Sequence, residues 1–365
     1  MVTTLQINVI PFLFCLCCWV GCKKDPITPP DRVRTPHDYT WTRDTLGDGT
    51  FQSSPEMIWG SSASDVYMVA SSSEFGQWEI WHFDGIRWTD ITSIYFETFP
   101  GPPWYRYSPI DVTGFGPNDV WIVGLADTME QPAPLRTGFA LHKKPNGSWE
   151  GFRIPGALNL YAVGGVSSTD LWVGGLFGQM FHYDGAQWQE HRLSDSTQIL
   201  FIKAQGSNKV VASGWEFPGG IEVVKYFEWN GIAWSKIEER NGATFGPEAG
   251  ISFEWLNGKI ISTNGPHISE RVSPGVWKSV FYNASSNLII VSNSGGQAFA
   301  SGRMTDGSET IYYYDGTQWG RIAGLNAPNS SIYEGWSTPT ETFLIGMEDQ
   351  PQGTMFPKTY VIRGK

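Results

Sequence analysis

Beyond residue 22 the sequence contains no cysteine: Cys15, Cys17, Cys18 and Cys22 are the whole set. No disulfide framework can therefore staple the body of the chain, and its stability must come from a core. A chain of this length can supply one, since folding hides about 75% of the surface that the unfolded chain exposes. Positive charge is also scarce. The chain holds 25 Lys and Arg against 36 Asp and Glu, a net charge of -11, with no basic run, which excludes a nucleic-acid partner. No segment carries a helical apolar period, so a helical bundle is excluded as well. The sequence has no G-x-S-x-G, Walker loop, H-E-x-x-H or EF-hand loop. Of its six histidines, His82, His142 and His182 recur at equivalent places in a repeat and so stand far apart, while His37, His191 and His267 have no partner in sequence. No metal and no other cofactor is expected.

Charge is missing altogether from residues 1 to 22, where Ile7 to Val20 is apolar except for Asn8 and Pro11. That run is shorter than the ~20 residues a spanning helix needs and has the character of a signal-peptide core. It ends in Trp19-Val20-Gly21-Cys22, which resembles the lipobox of bacterial lipoproteins. The resemblance implies cleavage before Cys22, lipidation of Cys22 and a membrane held through that lipid. Trp19 departs from the usual Leu, and no Lys or Arg stands near the start. Residues 23 to 38, KKDPITPPDRVRTPHD, carry four prolines and no periodicity. They are expected to form a tether of about 50 Å if extended at ~3.1 Å per residue. Lys23 follows the lipobox cysteine where an inner-membrane retention signal would place Asp, so the resemblance implies an extracytoplasmic protein of the outer membrane, on its periplasmic or its surface side.

What the chain has in abundance is a repeat. Trp41, Trp88, Trp149, Trp188, Trp234, Trp277 and Trp319 recur about every 46 residues, most of them just after a turn. The turns read HFDGIRW, HKKPNGSW, HYDGAQW, EWNGIAW, RVSPGVW and YYDGTQW. The unit from Asn159 to Trp188 has all its parts. Apolar runs at Leu160 to Gly164, Leu171 to Gly175 and Gln179 to Tyr183 are separated by turn residues, and Asp184-Gly185 suits the positive φ values of a type I′ hairpin. Three units share a second signature, in which Asp65, Asp119 or Asp170 closes a turn before Tyr67, Trp121 or Trp172. These aspartates, with Asp84, Asp184 and Asp315, are expected to accept backbone hydrogen bonds within their turns.

Short β-branched and aromatic runs at this spacing predict an all-β fold of repeated four-stranded antiparallel sheets closed into a β-propeller over residues 39 to 365. Seven inner triplets of strands begin near Met57, Ile110, Leu160, Ile199, Ile251, Leu288 and Ile332, against seven Trp strands. The first Trp strand, 39 to 46, lacks a triplet before it, and the last triplet lacks a Trp strand after it. A seven-bladed ring whose last blade is completed by the N-terminal strand follows, and such closure removes open sheet edges. The D-G-x-x-W hairpins with G-x-x-x-x-D-V-[YW]-x-V-G resemble bacterial extracellular propellers grouped with BNR or Asp-box repeats, although no unit matches the full Asp box.

In such a ring, the turns joining first to second and third to fourth strands share one face and are short here. Length variation falls on the opposite face, and loops that vary on a rigid frame are the usual seat of binding. Tyr95, Phe96, Trp104, Tyr105, Arg106 and Tyr107 in one loop, with Arg136 and Trp215 in others, are the expected contacts for a glycan or protein ligand. A non-catalytic binding module is the reading. One alternative is a carbohydrate-active enzyme, a glycosidase or glycosyl-group transferase, whose two carboxylates would come from Glu97, Glu130, Glu216 and Glu248. Another is an assembly factor for a membrane complex, which resemblance to photosystem-assembly propellers allows. Phe152-Arg153-Ile154-Pro155 matches the F/Y-R-I-P segment of sialidases but ends an outer strand without that family's other active-site residues.

Overall fold

The computed structural model describes residues 35–46, 53–72, 78–98, 104–128, 136–241, 246–294, 297–305, 307–327, 330–348 and 358–365. Within them the chain forms seven four-stranded antiparallel sheets. Blade 3 shows the plan: Leu160–Ser167 innermost, then Asp170–Gly175, Gln179–Tyr183 and Trp188–Arg192 at the rim. Six blades are built from consecutive strands in this way. The seventh joins Ser330–Ser337, Thr342–Glu348 and Thr359–Gly364 to Trp41–Thr45 from the N-terminal end. Trp41 pairs with Gly364 and Thr45 with Tyr360, and the Thr40 amide donates to the Lys365 carbonyl at 2.8 Å. The compact unit starts at Thr35 rather than at Tyr39. Pro36–Asp38 forms a 3-10 turn, and the His37 ring meets Tyr313 of blade 6 edge-on.

The second strand of each blade lies between neighbours on both faces, which is why it reads as an unbroken apolar run rather than an alternating one. Val120, Trp121, Ile122 and Val123 are all buried. The core is divided between blades. Val69 and Ile80 of blade 1 pack with Ile122 and Phe139 of blade 2, while Ile58 and Met68 of blade 1 pack with Phe343 and Ile345 of blade 7. The outermost strands of blades 7 and 3, Trp41–Thr45 and Trp188–Arg192, are largely polar and exposed, which discourages pairing with other chains. Where inner strands converge there is little room. A Cβ on Gly164 would sit 2.4 Å from the Ile202 carbonyl oxygen of blade 4.

Two turn expectations are corrected. The D-G hairpins are not type I′, because only the glycine takes a positive φ, +92° at Gly185. The Asp184 carboxylate instead caps a four-residue loop, accepting from the Ala186 and Gln187 amides at 2.8 Å each. Asp84, Asp315 and Asn230 do the same. Those backbone donors, with the Thr317 hydroxyl first at Asp315, hold the three aspartates below the usual carboxylate range.

Asp65, Asp119 and Asp170 have a different role from the one expected. Each carboxylate pairs with a histidine on the third strand: His82 at 2.8 Å, His142 at 3.0 Å and His182 at 2.8 Å. Each imidazole also stacks on the aromatic two residues after its aspartate, at 4.5, 4.0 and 4.3 Å between ring centroids for Tyr67, Trp121 and Trp172. The alternation of a strand puts the aspartate and that aromatic on one face, and register brings the histidine opposite. Blade 5 fills the same two positions with charges exchanged, Lys259 and Glu270 at 2.7 Å.

Candidate functional site

The variable-loop face was expected to carry the ligand contacts, and the structure divides the named residues. The short helix Ser93–Thr98 turns Tyr95 inward, where its ring stacks on Tyr107 at 4.1 Å. Both are enclosed in the core between blades 1 and 2, and the Tyr107 hydroxyl donates to the Trp78 carbonyl at 2.9 Å. Burial pushes both phenols above their ordinary range. Neither is presented to a ligand. Phe96 is exposed and lies edge-on to Tyr107. Trp104, Tyr105 and Arg106 begin the inner strand of blade 2, Trp104–Gly116, and their side chains lie outside the described residues. Arg136 pairs with Asp127 at 2.8 Å on the same blade.

The four glutamates of the enzyme alternative are placed as follows. Glu97 is exposed on the short helix, Glu130 lies outside the described residues, and Glu248 is exposed between blades 4 and 5. Glu216 is tied down by Lys225 at 2.6 Å and by the hydroxyls of Ser196 and Thr197. Burial raises its carboxyl, but those hydrogen bonds together outweigh burial and leave it below the usual range. In the sialidase-like segment, Ile154 is buried against blade 3 and Phe152 packs beside Trp188.

A set of exposed apolar side chains lies on this face, on the loops of blades 3 and 4. Its anchor is Leu176–Gly178, where Phe177 holds φ = +54°, a conformation costly for a bulky side chain. The Gly178 amide donates to the Thr197 carbonyl at 2.6 Å, and the Leu193 amide to the Gly178 carbonyl at 2.9 Å. Arg192 donates to the Phe177 carbonyl at 2.6 Å. The connection so bound also carries Ser196 and Thr197, which hold Glu216. Immediately beyond, Phe217 to Ile221 forms a tight loop closed by the Gly220 and Ile221 amides. Trp215 packs against Phe217 at 5.6 Å. Leu158 joins from the other side, its amide bonded to Gln179. Phe177, Phe217 and Ile221 are 46%, 55% and 53% exposed. On the opposite face Ile86 and Ile232 are also exposed, but they stand singly at hairpin tips of different blades.

The second concentration of chemistry is the central channel, where all seven inner strands line a cavity of about 300 Å³. Four charged side chains face it: Asp111 of blade 2, Lys203 of blade 4, Glu254 of blade 5 and Glu334 of blade 7. Lys203 is ion-paired with Glu254. Asp111 is buried and accepts the Val112 and Val163 amides at 2.7 Å each. Desolvation pushes it up to about 7 despite those bonds. Glu334 accepts the Gly335 amide at 3.3 Å, and desolvation pushes it up to about 8. Around Lys203, burial favours loss of the proton, but the carboxylates of Glu254, Glu334 and Asp111 outweigh it and hold the ammonium charged. Sequence reasoning passed over these four. Each is a charge inside an otherwise apolar inner strand, as in PIDVTG, LFIKAQG, SFEWLNG and SIYEGWS, and that signal was present.

Fold and site together define a class, a seven-bladed β-propeller with a structured loop face and a charged channel. No protein-family model matches the chain, and no curated protein is similar to it in sequence. Solved structures share the fold. YCF48 bound to D1 peptide is 14% identical, with 90% of this chain and 97% of that chain covered and a TM-score of 0.55. YCF48 from Cyanidioschyzon merolae is 13% identical, covering 89% and 98%, at 0.50. The Neurospora crassa Pan2 WD40 domain is 11% identical, covering 88% and 95%, at 0.51. At these identities the likeness concerns architecture alone.

Proposed function

We propose that this propeller is a membrane-anchored, extracytoplasmic binding module that captures a segment of a partner protein on its variable-loop face. The observation that carries the reading is the rim of Leu158, Phe177, Trp215, Phe217 and Ile221, whose loops are held by backbone hydrogen bonds within blades 3 and 4 and by the Ser196 and Thr197 hydroxyls on Glu216. Loops so held that present apolar side chains lose little entropy on binding, and aromatic anchors carry most of the energy in protein interfaces. The mixture of aliphatic and aromatic groups suits a peptide better than a glycan, which would need open ring faces flanked by polar donors. A propeller of similar fold is described as bound to a peptide, which adds support by analogy of architecture. The anchor rests on the lipobox-like Trp19 to Cys22 and the outer-membrane assignment on Lys23.

The test is photo-crosslinking from a reactive group placed at Ile221 in native membranes, followed by identification of the captured protein. A Phe177→Ser/Phe217→Ser variant with an unchanged melting temperature should lose the capture, and Ile86→Ser should keep it. Equal capture by the double variant would overturn the assignment of the rim, and recovery of a polysaccharide in place of a protein would move the reading to glycan.

A further inference from the structure

The channel cavity is built on different strands from the rim and lies toward the opposite end of the ring. Lys203, Glu254 and Glu334 each stand within three residues of the end of their inner strand, next to the short first-to-second turns. Trp59, Trp255 and Trp336 line the cavity, together with Phe201. The indoles lie over neighbouring blades: a Cβ on Gly114 would meet Trp59 at 2.5 Å, and one on Gly60 would meet Trp336 at 2.8 Å. The Trp255 indole donates to the Lys203 carbonyl at 3.4 Å.

Within those walls the charges do not balance. Lys203 is the one cationic side chain among the described lining residues; it is ion-paired with Glu254 and also attracts Glu334 and Asp111, so one cation faces three carboxylates. Asp111 has both oxygens on backbone amides. Glu334 faces the same space deep in the ring, with one oxygen on the Gly335 amide. Burying more carboxylates than cations is costly unless a partner neutralises the excess. The cavity volume is at the lower end of the range for small-molecule sites. The three carboxylates come from three blades and form no metal-ligand group among the described residues. The Trp255 ring already carries the Lys209 ammonium at 4.7 Å, and an indole-lined cavity with an excess of carboxylates suits an organic cation.

We propose that the channel cavity is a binding site for an organic monocation, an alkylammonium or guanidinium head group, seated against Glu334 and Asp111 and enclosed by Trp59, Trp255 and Trp336. The head group is either that of a free amine or that of a lysine or arginine side chain on a polypeptide. Binding balances in charge because Glu334 gives up its proton to the solvent as the cation enters. Asp111, Lys203 and Glu254 are the other titratable groups facing the cavity from the inner strands.

The experiment uses the full chain in detergent with n-butylammonium, n-butylguanidinium, N-acetyl-lysine methylamide and, as a neutral control, n-butanol. Calorimetry at pH 7 in two buffers of different ionisation heat reads affinity and proton release together. The expected result is saturable binding of a cation with release of a proton, none with butanol, and at least tenfold weaker binding by Glu334→Gln. Preference for the lysine derivative assigns a polypeptide side chain, and equal or better binding of butylammonium or butylguanidinium assigns a free amine or guanidine. The Phe177→Ser/Phe217→Ser variant should bind as the unaltered chain does, which keeps this site separate from the rim. Absence of binding by every cation, equal binding of butanol, or binding without proton release would overturn the proposal, whether or not Glu334→Gln folds.

Discussion

The imidazole of His182 pairs with the Asp170 carboxylate at 2.8 Å while its ring lies on Trp172. Both side chains are largely covered, and the pair ties the second strand of blade 3 to the third. A charge-assisted hydrogen bond of this kind contributes on the order of 1.5 kcal/mol. A double-mutant cycle with Asp170→Ala and His182→Ala, read by urea unfolding, should give a coupling energy near that figure. Additive effects would show that stacking alone holds the ring. Blade 5 meets the same geometry with Lys259 and Glu270, so exchanging Asp170 and His182 for Lys and Glu should recover much of the loss.

Closure by the N-terminal strand predicts cooperative failure. Removing residues 39 to 46 takes away Trp41–Thr45 and with it five register pairs to Thr359–Gly364, the packing of Trp41 against the core of blades 6 and 7, and the Arg43 guanidinium over Tyr360 at 4.4 Å. It also exposes an unpaired strand edge. Thermal unfolding should shift down as a whole rather than lose one blade, and an unchanged melting temperature would refute the closure.

The channel carboxylates predict an inverted pH dependence. Glu334 and Asp111 have folded values pushed up to about 8 and about 7, whereas an exposed carboxyl titrates near ~4. Between those values the folded chain holds protons that the unfolded chain has lost, so stability contributed by these groups falls as pH rises from about 4 to 8. The turn aspartates Asp84, Asp184 and Asp315 act oppositely, and their contribution disappears only as pH falls through their depressed folded values. Glu334→Gln keeps an oxygen for the Gly335 amide and should raise the melting temperature at pH 8 while leaving it nearly unchanged at pH 4. An equal effect at both pH values would contradict the buried assignment.

Cys22→Ser tests the anchor. The variant should fail to incorporate a labelled fatty acid and should leave the membrane fraction, with the propeller folded as before. Retention in the membrane without the label would remove the lipoprotein reading.

Blade number, strand order and ring closure were legible in the chain because they are local and repeated. Apolar runs of strand length, a turn before each tryptophan and one strand left over at each end suffice to count the ring. The D-G-x-x-W turns were legible too, although the asparagine or aspartate side-chain oxygen accepting two backbone amides, rather than a second positive φ, proved to shape them. The Asp–His pairs escaped because each depends on cross-strand register, which spacing alone leaves open. Tertiary structure decided the rest. Tyr95 and Tyr107 looked available in a long aromatic loop, yet a short helix turns Tyr95 and the inner strand of blade 2 turns Tyr107 into the interblade core, where ring stacking and burial outweigh exposure. Asp111, Lys203, Glu254 and Glu334 are single charges in four separate repeats, and only closure of the ring sets them around one cavity. Phe177 and Phe217 lie on loops of consecutive blades that share one face of the ring only because the ring closes. A repeat dictates its own blade, but what the blades enclose between them depends on contacts across the whole ring.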